Sequence, residues 1–495
     1  MKLLKRIGII DIGSNSIRLV VFDGPRRSPL YLYNEKVFFR LGMHSFGGNS
    51  FNTDTIEAVS RIINRYVAIC RNMETSKISM FGTSALREAS NSTALIELIK
   101  KKTNISVDVI SGEKEAQYAA QGILLGFPNA EGTICDLGGN SVEFANIRKN
   151  MITDCNSALL GPLTIKKLEG EFENLGRYMQ RQLSTATNVS RIQDKSFFLI
   201  GGSWRAIAKI HMQRTKYPLK MIQGYKVSSK KLKKTLEFIQ GSSFMTKYDE
   251  MNISLERLEL LPKSAHLLEI MIDELQIKAL TFSSFGVREG LIYQHLSEVE
   301  KKKDPLIEAA RFFEKKESRF PKISKQAFKW LSPLYENLPR KTKRIILAAT
   351  KLHDIPWIAH PDYKSEMCLE LVTRSNISGL SHKERVFLAM ILLFRHKAKT
   401  EKVFNSKLFK IVSKKKRKIA LIIGKGLRLA STFFGEISLF DKIEFRLRDN
   451  EVELCFRSKA DSVNGQVVER RIQELNKALK LYVTTEIEKN QFLNS

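Results

Sequence analysis

Cys135-Asp136-Leu137-Gly138-Gly139-Asn140-Ser141-Val142-Glu143-Phe144 decides the reading of this chain, because a second version of it stands near the start. That version is Ile10-Asp11-Ile12-Gly13-Ser14-Asn15-Ser16-Ile17-Arg18-Leu19. The two share Asp-x-Gly-x-Asn-Ser with an apolar residue on each side. Each follows a short apolar run, Ile7-Gly8-Ile9-Ile10 or Thr133-Ile134-Cys135, and each leads into another, residues 17–22 or 142–147. Both therefore read as strand, tight glycine turn, strand. Glycine tolerates positive φ, so successive backbone N–H groups can point into one concavity that takes an anion. An Asp at the strand end adds an oxygen ligand for a hard cation such as Mg²⁺. Two facing copies would clamp a phosphate chain and its metal between two lobes. Two ordinary hairpins are the alternative, and the matched spacing of the copies weakens it.

Outward from the first copy, Lys36 to Leu41 reads as a strand and Asp54 to Met73 as an amphipathic helix. In that helix Ile56, Val59, Ile62, Ile63 and Val67 fall at helical spacing, and Asp54 with Glu57 gives a capping signal. The strand Ile78 to Phe81 feeds Gly82-Thr83-Ser84-Ala85-Leu86-Arg87-Glu88, a turn entering a helix, where free N–H groups favour an anion. Arg87 there is either a phosphate fork or a surface arginine beside Glu88. Ile105 to Ile110 alternates as a strand and runs into the helix opened by Ser111-Gly112-Glu113-Lys114-Glu115-Ala116-Gln117. Glu113 and Glu115, two residues apart, point to different faces, so one of them faces a cleft at most. Either could also merely complement the helix N-terminus. Beyond the second copy come Leu159-Leu160-Gly161-Pro162-Leu163-Thr164, then a strand over Phe197 to Ile200 entering Gly201-Gly202-Ser203-Trp204-Arg205-Ala206, then Ser283 to Gly290. Arg288 and Glu289 in the last segment are expected to pair with each other.

These motifs, in this order, resemble the exopolyphosphatase / guanosine pentaphosphate phosphatase family of the actin, sugar-kinase and Hsp70 superfamily. The resemblance implies an α/β fold of two ribonuclease-H-like, actin-like ATPase lobes, then an all-helical HD-like domain and a small α+β C-terminal module. It implies that Glu115 is the catalytic base and that Arg87 binds a phosphate. Gly13, Ser14, Asn15, Gly138, Gly139, Asn140 and Ser141 would cradle phosphates, and Asp136, helped by Asp11 and Glu143, would hold Mg²⁺. Lys114 and Gln117 depart from the family's frequent Glu and Arg. The implied reaction is Mg-dependent release of the terminal phosphate of inorganic polyphosphate, with guanosine pentaphosphate (pppGpp) as the alternative substrate. A non-catalytic nucleotide- or polyanion-binding regulatory protein is the alternative of another class. The family also implies a homodimer.

Residues 1–126 and 127–300 read as the two lobes, 301–423 as the helical domain and 424–495 as the terminal module. Lys301-Lys302-Lys303-Asp304-Pro305 reads as a charged linker with Pro305 starting a helix. Helices follow over 306–313, 325–338, 341–353 and 382–396, the second interrupted by Pro333. His353-Asp354 resembles a fragment of an HD metal site, but no further ligands stand at a readable spacing, so a structural role is expected. Lys414-Lys415-Lys416-Arg417-Lys418 reads as the end of the helical region. Strands over 443–447 and 452–456 flank the turn Arg448-Asp449-Asn450, and residues 467–481 read as a final helix.

Of a formal net charge of +30, residues 301–495 carry +20, from 42 Lys and Arg against 22 Asp and Glu. A field of that sign attracts polyanions. Charge leaves nucleic acid open as a partner, although the resemblance does not predict it; solvated surface lysine is the plainer explanation for part of the excess. The 5 cysteines are scattered without CxxC spacing, which argues against a disulfide framework and for a reducing, cytoplasmic setting. Met1 to Arg6 is too short for a signal peptide, and no apolar run reaches membrane-spanning length, so no membrane insertion is expected.

Overall fold

The computed structural model describes residues 5–45, 49–169, 175–186, 196–241, 244, 253–397, 406–449 and 451–492. It divides into two compact units, Met1–Lys303 and Asp304–Ser495.

In the first unit the two hairpins seed two sheets. Strands β1 (Ile7–Ile12), β2 (Ser16–Phe22), β3 (Tyr31–Phe38), β4 (Lys77–Gly82) and β5 (Asp108–Val109) lie in the order β3-β2-β1-β4-β5. Strands β6 (Gly132–Leu137), β7 (Val142–Arg148), β8 (Met151–Ala158), β9 (Ser196–Gly201), β10 (Tyr225–Ser228) and β11 (Ala279–Phe282) lie in the order β10-β11-β9-β6-β7-β8. In each sheet the hairpin strands pair antiparallel and the first also pairs parallel with the strand after a helix. The repeat read from sequence is thus a repeat of topology. Strands β1 and β6 are central and buried on both faces, which is why their sequences are apolar runs and not alternations.

Local departures have local causes. Helix Thr53–Asn72 is capped by Asn52, whose side chain accepts from the Thr55 N–H at 2.8 Å, so the expected Asp54/Glu57 cap is not used. The strand expected over 105–110 shrinks to β5, because the Ile105 N–H bonds the Thr103 hydroxyl at 3.2 Å, within the end of the preceding helix. The third strand runs earlier than expected and stops at Phe38. Beyond it the N–H groups of Phe39 and Arg40 donate to Asn15 O at 3.2 and 3.1 Å, buttressing the first glycine turn.

Helix Gly112–Gly126 crosses helix Val287–Gln294 at backbone contact. Gly122 faces the Gly286 carbonyl and Gly290 faces the Tyr118 carbonyl, and a Cβ at either would strike that backbone. Two helix backbones approach this closely only through glycine.

The second unit is helical around a core that includes Leu393, Phe394, Ile423 and Leu427. Asp304 caps helix Pro305–Glu317, so the connection between the units is shorter than the linker read from sequence. The helix expected over 325–338 ends at Trp330, and Ser332–Leu334 is a single 3₁₀ turn. The Lys414–Lys418 run does not end the helical region: it opens helix Lys414–Ala430, which runs through the 423/424 boundary read from sequence. The hairpin of β12 (Ile443–Arg448) and β13 (Glu451–Phe456) follows, and helix Gln466–Phe492 closes the chain. Asn450, in the expected turn, lies outside the described residues. His353 and Asp354 are both built into packing. The His353 ring centre lies 4.6 Å from that of Phe434, and the Asp354 carboxylate takes three N–H bonds from Arg319, at 2.6, 3.0 and 3.2 Å. Among the described residues no helix is long and apolar enough to cross a membrane.

Candidate active site

The two glycine turns face each other across an open cleft of about 490 Å³. Each is closed the same way: the Gly13 N–H donates to Ser16 O at 3.1 Å and the Gly138 N–H to Ser141 O at 2.9 Å. Gly13, Ser14, Asn15, Gly138 and Gly139 line the cleft. The Ser14 hydroxyl meets that of Ser84 at 2.6 Å, and Asn15 Oδ1 is buried without a hydrogen-bond partner. Asn140 and Ser141 are placed differently from the other turn residues: both are buried beneath the turn and neither lines the cleft. The Asn140 amide donates to Glu88 Oε2 at 3.3 Å and to Gly42 O at 3.4 Å, linking the second hairpin to the first lobe.

Three carboxylates gather on one side. Ser111 caps helix Gly112–Gly126, accepting from the Lys114 N–H at 3.2 Å, and this fixes Glu115 in the first turn. Glu115 is buried at the cleft, whereas Glu113 is exposed. Arg87 stands behind Glu115 and not in the cleft itself: its Nη1 donates to Glu115 Oε2 at 3.1 Å and to Ile110 O at 2.7 Å. Asp136 and Glu143 are opposite each other in the β6–β7 register, so their side chains share a face. Burial raises the pKa of all three, Glu115 well above its ordinary value, Asp136 to about 6 and Glu143 to about 7. The neighbouring charges add to this: Glu143 on Glu115, and Asp136 on Glu143.

Such a cluster is what a divalent cation relieves. Glu143 Oε1 accepts from the Ser157 hydroxyl at 3.0 Å, and Oε2 is buried without a hydrogen-bond partner, a free oxygen beside Asp136. These hard donors fit Mg²⁺. Among the described residues no three His, Cys, Asp or Glu side chains form a metal-binding group. A pair of carboxylates completed by water and substrate oxygens is the usual Mg²⁺ arrangement. Asp11 is engaged elsewhere, its Oδ2 held by Arg288 at 2.6 Å. The expected Arg288–Glu289 pair is therefore corrected. Glu289 turns away to accept from the Gly286 N–H at 2.7 Å and the Tyr31 hydroxyl at 3.0 Å, capping its own helix.

Sequence reading missed the opposite wall. Arg18 from β2, Lys36 from β3, Arg205 after the Gly-Gly turn and Arg257 from the short helix Leu255–Leu258 line the cleft with Arg288. Burial first, and neighbouring cations second, lower the pKa of Lys36 to about 7 and those of Arg18 and Arg205 to about 10. Gly202 makes room for this wall, since a Cβ there would lie 2.9 Å from the Arg257 guanidinium. Arg18 could have been found, because it is the β-partner of Asp11 on the cleft face. Arg257 carries no local signal.

Two lobes of repeated topology define an actin-like fold whose cleft carries both an acidic cluster and a cationic wall. A model of the Ppx/GppA phosphatase family matches residues 20–299, and one described as exopolyphosphatase, C-terminal, matches residues 337–482. The chain belongs to the Ppx/GppA phosphatase family. It is similar to Retrograde regulation protein 2 of Saccharomyces cerevisiae, 23% identical over 441 residues, covering 78% of this chain and 72% of the relative. It is 22% identical over 307 residues to Exopolyphosphatase 1 of Mycobacterium tuberculosis, covering 59% of this chain and 88% of that protein. Among solved structures, an exopolyphosphatase from Cytophaga hutchinsonii superposes with a TM-score of 0.52 at 23% identity, over 59% of this chain and 97% of that one. The Aquifex aeolicus PPX-GPPA enzyme gives 0.50 at 20% identity, over 59% and 99%. Both structures share the fold.

Proposed function

We propose that the chain is an exopolyphosphatase that hydrolyses the terminal phosphoanhydride of inorganic polyphosphate with Mg²⁺. The observation that carries this reading is Glu115: a buried carboxylate of raised pKa, oriented by Arg87, at the cleft between two anion-cradling turns. A carboxylate whose pKa is raised by burial is a better proton acceptor than an exposed glutamate. Glu115 orients a water whose oxygen attacks the terminal phosphorus. The P–O bond to the penultimate phosphate breaks, and the water's proton passes to the carboxylate. The N–H groups of Ser14, Asn15 and Gly139 would hold the terminal phosphates, because those of Gly13 and Gly138 close the turns. Asp136 and Glu143 would hold Mg²⁺, which neutralises phosphate charge when bound. The wall of Arg18, Lys36, Arg205 and Arg257 supports a substrate with several consecutive phosphates. Phosphate release from long polyphosphate and from guanosine pentaphosphate, each with and without Mg²⁺, tests this. Mg²⁺-dependent release from polyphosphate is expected. Turnover of guanosine pentaphosphate alone would replace the substrate, and binding without release from either would leave a binding protein.

A further inference from the structure

The second unit holds a cavity of about 230 Å³ that hydrolysis does not use. Its floor is apolar: Ile345, Phe387 and Val412 are buried. Three lysines surround it, Lys341 and Lys383 exposed and Lys416 half-buried. The Lys416 ammonium bonds the Thr342 hydroxyl and lies 5.2 Å from the centre of the Phe387 ring. Among the described residues none of the three lysines has a carboxylate within ion-pair distance. The one acid in the lining, Glu384, is held by the N–H and hydroxyl of Ser381 at 2.9 and 2.8 Å and pairs with Arg344 at 3.7 Å.

Each lysine lies in the first turn of a different helix: Arg340–Leu352, His382–His396 or Lys414–Ala430. The first turns of the first and third contain no acid. Their first five residues instead include Arg340, Lys341, Lys343 and Arg344, and the whole of Lys414–Lys418. Cations at the positive end of a helix are unfavourable, and Lys341, Lys383 and Lys416, one on each helix, stand around one cavity. An anion among them would relieve that.

The floor narrows the choice. Inorganic polyphosphate has no apolar surface to lay on Phe387 and Ile345. Whole drug-sized ligands fill roughly 300–1,000 Å³, so this smaller cavity suits a flat ring with its charged tail outside. We infer that the cavity binds a nucleoside phosphate, its ring on the apolar floor and its phosphates among Lys341, Lys383 and Lys416, at a site separate from the catalytic cleft.

The test uses the full-length chain and the fluorescent analogue trinitrophenyl-ATP, with photolabelling by 8-azido-ATP to locate the site. Label is expected on peptides within residues 341–416. Lys341→Glu/Lys383→Glu should weaken that site about tenfold and Lys341→Arg/Lys383→Arg should preserve it, because only exposed, unpaired side chains change. ATP should displace the analogue better than either adenosine or inorganic tripolyphosphate. The inference fails if the Glu variant binds as the wild type does, or if label falls only on the first unit. It fails equally if tripolyphosphate competes as well as ATP, which would make the cavity a stop on a phosphate track.

Discussion

Glu115 and Glu143 are two buried acids with different consequences. Glu115→Gln should nearly abolish phosphate release while the protein stays folded, and Glu113→Gln, on the exposed side of the same helix, should cost little; equal losses would refute the assignment. Arg87 gives a finer readout. Its charge opposes the rise in the Glu115 pKa, and activity needs the carboxylate, so the rate should fall as pH drops through that pKa. Arg87→Ala should move this acidic limb to higher pH, measurable in the pH profile of kcat/KM. Glu143 is read through stability. Its folded pKa of about 7 exceeds the ordinary 4.5, so the folded state holds the proton more tightly. Stability is then greatest below pH about 4.5 and is lost as pH rises to about 7. In chelator, Glu143→Gln should therefore raise Tm at pH 8 relative to wild type, by the equivalent of a few kcal/mol at most, with a smaller difference at pH 5. At this scale the sequence was legible where residues act within a motif. Glu115, Asp136, Gly13–Asn15, Gly138 and Gly139 line one cleft; the repeat pointed to the turns, and the family resemblance to Glu115. The Asp11–Arg288 pair was hidden because the packing of helix Val287–Gln294 on the first sheet, and not local pattern, brings residues so distant in sequence together. The same holds for the cationic wall, whose members come from four separate elements.

Between elements, the close crossing of helices Gly112–Gly126 and Val287–Gln294 holds the base against the arginine that restrains Asp11. Gly290→Ala would press a methyl into the Tyr118 carbonyl. It should cost roughly 1–3 kcal/mol and lower kcat as the Arg288 helix shifts, seen as a drop in Tm and in turnover per folded molecule. Gly241→Ala, whose nearest neighbours are 3.5 Å away or more, is the control. In the second unit, Asp354→Ala would leave the Arg319 guanidinium and backbone N–H without their acceptor. Roughly 1–3 kcal/mol of stability should go, with metal-dependent turnover per folded molecule unchanged. A separate activity lost with His353→Ala would contradict the structural role. Elements were legible where a continuous apolar run was bounded by turn residues, as in the two hairpins. They were not where short-range bonds overrode the pattern: Thr103 took the Ile105 N–H, and the Lys414 run opened a helix against the preference of its dipole.

For the whole molecule the governing quantity is charge. On the proposed reading the turns hold only the last few phosphates of a polyphosphate chain that carries about one negative charge per phosphate. A long substrate must therefore leave the cleft over other surface, and the second unit carries +17 of the total +30, from 39 Lys and Arg against 22 Asp and Glu. Binding to it releases counterions, so long-chain affinity should fall steeply with salt, by about 0.7 to 0.9 of a log unit per log unit of salt for each neutralised phosphate if nucleic-acid backbones are the guide. The division at Lys303/Asp304 supplies the experiment. A chain ending at Lys303 should still release phosphate from tripolyphosphate, because both hairpins, Glu115 and the cationic wall lie before that point. Its affinity for long polyphosphate should drop and the salt slope should flatten, while the affinity for short chains stays near that of the full-length protein. Long-chain affinity unchanged by the truncation would return the basic surface to ordinary solvation, and equal losses for short and long chains would mean that the first unit needs the second to fold.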